Sequence, residues 1–360
     1  MILLKILRVR HSTSFINSCF PFSSVLRWNT VMSIPKIGTH NGKFHCDEVL
    51  ACYMLKVLPE YQEAAIVRSR DPQVLDKCDI VVDVGAVYDH DKLRYDHHQR
   101  GFNETMHSLS KSTKPWTTKL SSAGLIYYHY GERVLSALTG FSIGSSELAS
   151  LYDAVYNNFI EEIDAVDNGI QDREGIPKYK ITSTIGYRVS RLNSRWNDTD
   201  HKPDERFKYA MERVGEEFND IIQHYKDSWL PARSIVLSAI EKRHEVDASG
   251  EVINLEQYCP WVEHLLMLES QMNLKKTIKF VLYPEESGKW RVQAVPLATG
   301  SFVNRVSLLE EWRGLRDQEL SDLSGIPGCV FVHANGFIGG NSTLDGALSM
   351  AMITLQNRKK

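Results

Sequence analysis

The chain has 360 residues, 42 Lys+Arg against 45 Asp+Glu, and a formal net charge of −3, with 42% hydrophobic and 24% charged residues. That length exceeds the ~250–300 residues at which single hydrophobic cores stop growing, so about two domains are expected. No stretch approaches the roughly 18–20 uncharged apolar residues of a membrane helix, the aromatic content of 10% excludes collagen-like and disordered classes, and the balanced charge supplies no bulk basic field, so any nucleic-acid contact must be local. The six cysteines, Cys19, Cys46, Cys52, Cys78, Cys259 and Cys329, show no C-x-x-C spacing and read as reduced thiols of a cytosolic-type compartment.

Residues 1–33 carry Lys5, Arg8, Arg10 and Arg27, eight Ser/Thr and no acid; the first acid in the chain is Asp47. Basic, Ser-rich and acid-free is the composition of a mitochondrial presequence, and Lys5, Arg8 and Arg10 interrupt any secretory apolar run. Met32 would start a leaderless form with 38 basic against 45 acidic residues.

From residue 34 the pattern is α/β. Strands are expected at Ile34–Thr39, Ala64–Arg68, Asp79–Gly85 and Leu93–His98, with a helix over Asp47–Leu58 whose apolar Val49, Leu50, Tyr53, Met54 and Val57 recur at helical spacing. The run DIVVDVG, apolar and closed by Asp83 and Gly85, suits a buried parallel strand. Polar residues 101–120 read as a mobile loop. Helices follow at 121–139, 146–166 and 204–244, the last interrupted near Pro231, and the domain boundary falls within 195–245. A hairpin from Lys276–Tyr283 and Trp290–Val295, a strand at Cys329–His333, a Gly-rich turn over Asn335–Asn341 and a terminal helix over 342–356 complete the chain.

Of thirteen histidines, five (His40, His45, His90, His97, His98) fall within 59 residues that also hold Asp47, Asp83, Asp89, Asp91 and Asp96. His40, His45 and Asp47 follow one expected strand, Asp83 closes another, and Asp96-His97-His98 ends a third. Open α/β sheets bind ligands outside the carboxyl ends of their strands, so imidazoles and carboxylates are delivered to one edge. Nitrogen and oxygen donors without thiolate suit Mn²⁺, Zn²⁺, Fe²⁺ or Co²⁺. Adjacent His97 and His98 point to opposite sides of a strand, so one joins a metal and the other is free for substrate. His90, with Asp89 and Asp91, reads as an exposed turn. A second acidic group, Glu161-Glu162-x-Asp164-x-x-Asp167-Asn168-Gly169, ends a helix where acids are disfavoured and a cation would offset them. Phosphate contacts are expected from Arg188, Arg191 and Arg195 between the domains and from Arg305, Arg313, His333 and the backbone amides of Gly339-Gly340, the last two being either an anion site or a tight turn.

Five segments in order resemble the melanocyte-proliferating-gene family, itself similar to the DHH phosphoesterases: Ile37-Gly-Thr-His40-Asn-Gly-Lys-Phe-His45-Cys-Asp47-Glu, Val82-Asp83-Val-Gly, Tyr95-Asp96-His97-His98-Gln, Asp164-Ala-Val-Asp167-Asn-Gly, and Gly325 through His333 to Gly339-Gly340. The resemblance spans about Pro35 to Leu355. It implies a metal-binding N-terminal domain (34–200) with a parallel sheet flanked by helices, a helical connector (201–245) and a smaller C-terminal α/β substrate-binding domain (246–360). It implies two divalent metals, Mn²⁺ or Mg²⁺, on His40, His45, Asp47, Asp83, His97 and Asp167, with Asp83 bridging, Asp164 in reserve, His98 on the phosphate and Asp96 anchoring His97. It departs in one place: the usual His-x-x-x-Asp-x-Asp becomes His40-x-x-x-x-His45-x-Asp47. It implies a 3′→5′ exonuclease acting on single-stranded RNA or short oligonucleotides in the mitochondrial matrix and in the nucleus or nucleolus. A small-phosphate hydrolase, acting on nucleotides or polyphosphate, and a non-catalytic nucleic-acid-binding module are the alternatives.

Overall fold

A computed structural model describes residues 34–357, so the presequence-like leader and Met32 lie outside the described residues. Two five-stranded mixed sheets are flanked by helices, giving an α/β fold with two layered halves. The N-terminal half runs β1 (Lys36–Thr39), α1 (Cys46–Val57), β2 (Ala65–Arg68), α2 (Pro72–Leu75), β3 (Ile80–Val82), β4 (Tyr88–Asp89), β5 (Arg94–Tyr95), α3 (Met106–Leu109), α4 (Ser122–Thr139), α5 (Ser146–Val155), α6 (Glu161–Asp167) and α7 (Ile185–Ser190). The order across the sheet is β2-β1-β3-β5-β4. All pairings are parallel except β4 against β5, an antiparallel edge that the sequence pattern did not reveal. Central β3 is wholly buried, as its uninterrupted Ile80-Val81-Val82 requires. Because β1, β3 and β5 are adjacent and parallel, the residues that follow them emerge side by side.

The chain then passes through α8 (Pro203–His224), α9 (Leu230–Glu241) and α10 (Arg243–Val246) into β6 (Val252–Asn254), α11 (Val262–Gln271), β7 (Phe280–Pro284), β8 (Trp290–Ala294), α12 (Asp317–Ser324), β9 (Cys329–Val332), β10 (Ile338–Asn341) and α13 (Leu344–Asn357). This second sheet has the order β6-β7-β8-β10-β9, with β6 parallel to β7 and the rest antiparallel.

Several expectations are corrected. Residues 101–120 are anchored rather than loose: Thr105 caps α3 by accepting from the Ser108 N–H, and Met106 and Leu120 are fully buried. Polar composition hid two apolar anchors. The interruption expected near Pro231 takes the form of a π-turn at Tyr225–Trp229, and Pro231 follows it in the first turn of α9. The long helix is also more than a connector, since Phe207, Val214, Phe218 and Ile222 of α8 belong to the N-terminal core while Val236 and Ile240 of α9 pack with the second sheet. Finally, Gly339 and Gly340 form the middle of β10 instead of a turn. A Cβ on Gly340 would collide with the Arg291 guanidinium, and one on Gly339 would come within 2.9 Å of Leu308 and 3.0 Å of Met350. The run is Gly-rich because neighbours pass close.

Helix α1 packs between α4 and α8, and Gly215 of α8 lies against Tyr53 of α1. A Cβ at 215 would run into the Tyr53 ring, and that ring is pinned by a 2.7 Å hydrogen bond from Asn219 and an edge contact with Phe218. Gly215→Ala should therefore lose about 1–3 kcal/mol through overpacking, despite the better helix propensity of alanine. Urea unfolding measures this, and an unchanged or raised midpoint would contradict it.

Candidate metal centre

Three neighbouring strand ends build the centre. After β1, His40 is buried, with Nδ1 2.9 Å from the Asn41 carbonyl. Its Nε2 lies 3.0 Å from Glu48 Oε1 and 3.3 Å from Asp83 Oδ2. Glu48 is the third residue of α1, and its carboxylate accepts from the His45 N–H at 2.9 and 3.0 Å, reaching back over the helix start. That capping contact places a fully buried carboxylate beside His40. Sequence reasoning missed Glu48. The signal was available as an acid three residues after the helix-initiating His45.

Asp83 follows β3 in the left-handed region, at φ 58°. Aspartate tolerates that conformation better than most residues, and strain of this kind gathers at functional sites. The turn sends its two oxygens to different neighbours. Oδ2 faces His40, while Oδ1 lies 3.5 Å from His97 Nδ1 and 3.4 Å from His98 Nδ1. After β5, His97 is buried and its Nε2 lies 2.8 Å from Asp167 Oδ2, at the end of α6. Asp96 does not anchor His97. Its Oδ1 accepts from the His98 backbone N–H at 3.1 Å and meets His98 Nδ1 at 2.8 Å, and its Oδ2 accepts from the Ala86 N–H at 2.6 Å. Accepting from the N–H two residues on turns the Asp96 carboxylate to His98, and His97 and His98 do not point to opposite sides as expected of a strand: both Nδ1 atoms approach Asp83 Oδ1 and the ring centroids lie 4.2 Å apart.

Asp164 and Asp167 have opposite fates on one short helix. Asp164 is fully buried and accepts from the Ser121 N–H (2.9 Å), Ser121 Oγ (2.7 Å), the Gly124 N–H (3.0 Å) and Tyr156 OH (3.0 Å). It ties α6 to the start of α4, and burial pushes its carboxyl up to about 7 despite those donors. Its lone pairs are spent on protein donors, whereas Asp167 faces the histidines.

His40, His45, Glu48 and Asp83 place ligand atoms within 4.8 Å of one another, as do Asp83, Asp96, His97 and His98, and as do His45, Asp47 and Asp167. Asp83 is common to the first two groups and His45 to the first and third. Among the described residues no Lys or Arg forms an ion pair with these carboxylates. Asp47 is the most exposed to the consequence. Both its oxygens are buried and meet no hydrogen-bond donor. Burial, then the carboxylates of Asp83, Asp167 and Glu48, hold its carboxyl well above the usual range. Asp167 is held below it because His97 outweighs burial. Burial also raises Asp83, while hydrogen bonding drives His40 up to about 10 against burial. A buried carboxylate without a donor is stable only with a proton or a cation beside it. The donor set, imidazole nitrogen and carboxylate oxygen, fits a divalent metal.

Beside the cluster opens a cavity of about 450 Å³, lined in part by His45, Asp47, Asp167 and His98. The more distant expected contacts are placed differently. Arg188 pairs with Glu217 at 2.7 Å, and Arg191 donates to the Thr182 carbonyl at 2.8 Å; both sit on or just after α7, near the cavity. Arg305 is mostly buried and committed, donating at 2.9 and 2.7 Å to Glu269 and at 2.8 Å to the Ile278 carbonyl, so it is a structural cation. Arg313 donates to the Leu308 carbonyl at 3.0 Å, and His333 accepts from the Asn335 N–H at 3.1 Å in an exposed turn. Gly339 and Gly340 lie within a strand ladder rather than before a helix. His90 stacks on His129 with ring centroids 3.8 Å apart, away from the ligand groups.

Residues 36–355 match the family model MYG1_exonuc, described as "Uncharacterised protein family (UPF0160)". The chain belongs to the MYG1 family. Its MYG1 relatives include a Bos taurus protein named "MYG1 exonuclease", 57% identical over 330 residues that cover 91% of this chain and 86% of that one. The Homo sapiens protein of the same name is 56% identical over 330 residues, 91% of this chain and 88% of that one. A MYG1 protein of Saccharomyces cerevisiae is 45% identical over 339 residues, 92% of this chain and 98% of that one. A solved structure of an uncharacterized Helicobacter pylori G27 protein aligns with 90% of this chain and 98% of that one, at 12% identity and a TM-score of 0.23, too low to carry an argument.

Two substitutions separate ligand from scaffold in this MYG1 chain. Asp47→Asn replaces a buried carboxyl crowded by other carboxylates with a neutral donor facing Asp167, so the metal-free protein should gain about 1–2 kcal/mol, while any rise in melting temperature that Mn²⁺ gives the parent should be lost. Asp164→Ala leaves four donors without a partner and should cost about 3 kcal/mol or more. Calorimetry in chelator and in Mn²⁺ reads both, and a destabilised metal-free Asp47→Asn protein would refute the first.

Proposed function

We propose that the chain is a divalent-metal-dependent phosphodiester hydrolase that removes nucleotides from the 3′ end of single-stranded RNA or short oligonucleotides, with a pair of Mn²⁺ or Mg²⁺ ions as cofactor. The observation that supports metal dependence is Asp47, whose two buried oxygens have no hydrogen-bond partner and are crowded by other carboxylates. The exonuclease names of close relatives support the reaction class.

His40, His45, Asp47, Asp83, His97 and Asp167 would hold the cations, with Asp83 shared because its oxygens diverge toward His40 and toward His97. Bound divalent cations supply an attacking water of lowered pKa and neutralise charge developing on the phosphoryl oxygens. Glu48 orients His40. Asp96 fixes His98 by its Nδ1, and that hydrogen bond, with the nearby Asp83 carboxylate, raises the imidazole pKa against burial. His98 Nε2 has no partner among the described residues and its side chain is 60% exposed at the cavity. It would bind the developing phosphoryl charge or donate a proton to the leaving oxygen. Arg188 and Arg191 would steer the phosphate backbone toward the cavity. The basic, acid-free leader directs the long form to the mitochondrial matrix, and initiation at Met32 yields a form for the nucleus or nucleolus.

Asp83→Ala should lower Mn²⁺-dependent release of nucleotides from 5′-labelled single-stranded RNA by about a thousandfold or more, with the circular dichroism spectrum unchanged. Chelation of the parent should do the same. Parent-like rates in purified Asp83→Ala would end the proposal.

A further inference from the structure

The cavity beside the metal centre is lined by more than ligand groups. Besides His45, Asp47, Asp167 and His98 it is bounded by Val166, Ile185, Gly186 and Tyr187. Val166 is 58% and Tyr187 48% exposed, an unusual amount of apolar surface to leave in water next to buried carboxylates. Tyr187 owes its position to α7, whose N-cap Thr184 accepts from the Tyr187 N–H at 3.4 Å, while its phenol has no hydrogen-bond partner among the described residues. At Gly186 a Cβ would meet nothing nearer than Thr184 and Val166 at 3.9 Å, so the cavity keeps its width because this position has no side chain. A second cavity of about 930 Å³ shares Glu162, Val166 and Tyr187 with the first and continues past Tyr179, which is 66% exposed.

We infer that Tyr187, with Val166 and Ile185, forms a nucleobase-stacking wall that seats the terminal nucleoside of a single strand while its phosphate lies at the metal centre. The inference rests on the hydrolase reading and narrows its substrate class to base-bearing phosphoesters, against inorganic pyrophosphate or polyphosphate. The lining combines anionic, metal-competent groups with apolar and aromatic ones, as a nucleotide requires, and about 450 Å³ suffices for one nucleotide. Stacking uses the π-face that every base has, so the wall accepts all four bases and leaves the following nucleotides to the second cavity. An inorganic phosphate chain would gain nothing from Val166 or Tyr187.

The test uses the full chain with Mn²⁺ and paired oligonucleotides whose 3′-terminal residue either carries a base or is abasic. Tyr187→Ala should raise KM for the base-bearing oligonucleotide about tenfold, keep kcat, and abolish the preference over the abasic one. Tyr187→Phe should restore the parent values, and Gly186→Leu, which fills the cavity without a backbone clash, should mimic Tyr187→Ala. A terminal 2-aminopurine reports stacking by quenching whether or not turnover occurs. Quenching by the parent and Tyr187→Phe but not by Tyr187→Ala supports the wall. Equal quenching by all three, or an unchanged preference in Tyr187→Ala, overturns it. A parent that quenches but hydrolyses neither oligonucleotide upholds the wall and refutes the hydrolase reading.

Discussion

Like charge crowded into a dry corner governs this molecule. Asp47, Glu48, Asp83, Asp96 and Asp167 converge where β1, β3 and β5 end, and the first four are almost wholly buried. Carboxylates at such spacing do not all stay ionised, and they share protons with imidazoles until something more highly charged replaces those protons. His40 and His97 each stand between two carboxylates, which is how the protein carries the cluster on its own. The backing is correspondingly rigid: α1 is buried from Cys46 to Leu55 except at Tyr53, and Asp164 clamps the start of α4 through three donors.

The strands that position the cluster are short, three or four residues at most in β1 and β3 and two in β5. Short strands leave long, turn-rich exits, and it is in these exits that the strained backbone of Asp83 and the reach of Asp96 across to Ala86 set the ligand directions. Placement thus depends on a few local contacts held by a well-packed sheet, which suits a site that must keep several carboxylates close. On the other flank α7 carries Arg188 and Tyr187, with Arg191 directly after it, so one six-residue helix brings a cation and an aromatic side chain to the same region.

The second sheet shows how composition can mislead. Arginine and paired glycines suggest phosphate recognition in isolation, yet Arg305 neutralises Glu269 and the glycines of β10 make room for Arg291, Leu308 and Met350. Both are answers to packing.

Much of the site is legible in the order of the amino acids alone. The alternation of apolar runs with His/Asp-bearing exits announces a parallel sheet with a loaded edge, and the spacing from His40 to Asp47, at Asp83 and at Asp96-His97-His98 is local information that a strand-loop-helix pattern converts directly into position. What local pattern cannot carry is direction and competition. Which of Asp164 and Asp167 faces the histidines depends on where Ser121, Gly124 and Tyr156 present their donors, residues 8 to 43 positions away. That Glu48 stands beside His40 and that Tyr187 lines the same cavity as Asp47 and Asp167 are likewise decided only when separate elements pack, because side-chain direction and burial are properties of the assembled neighbourhood and not of the residue.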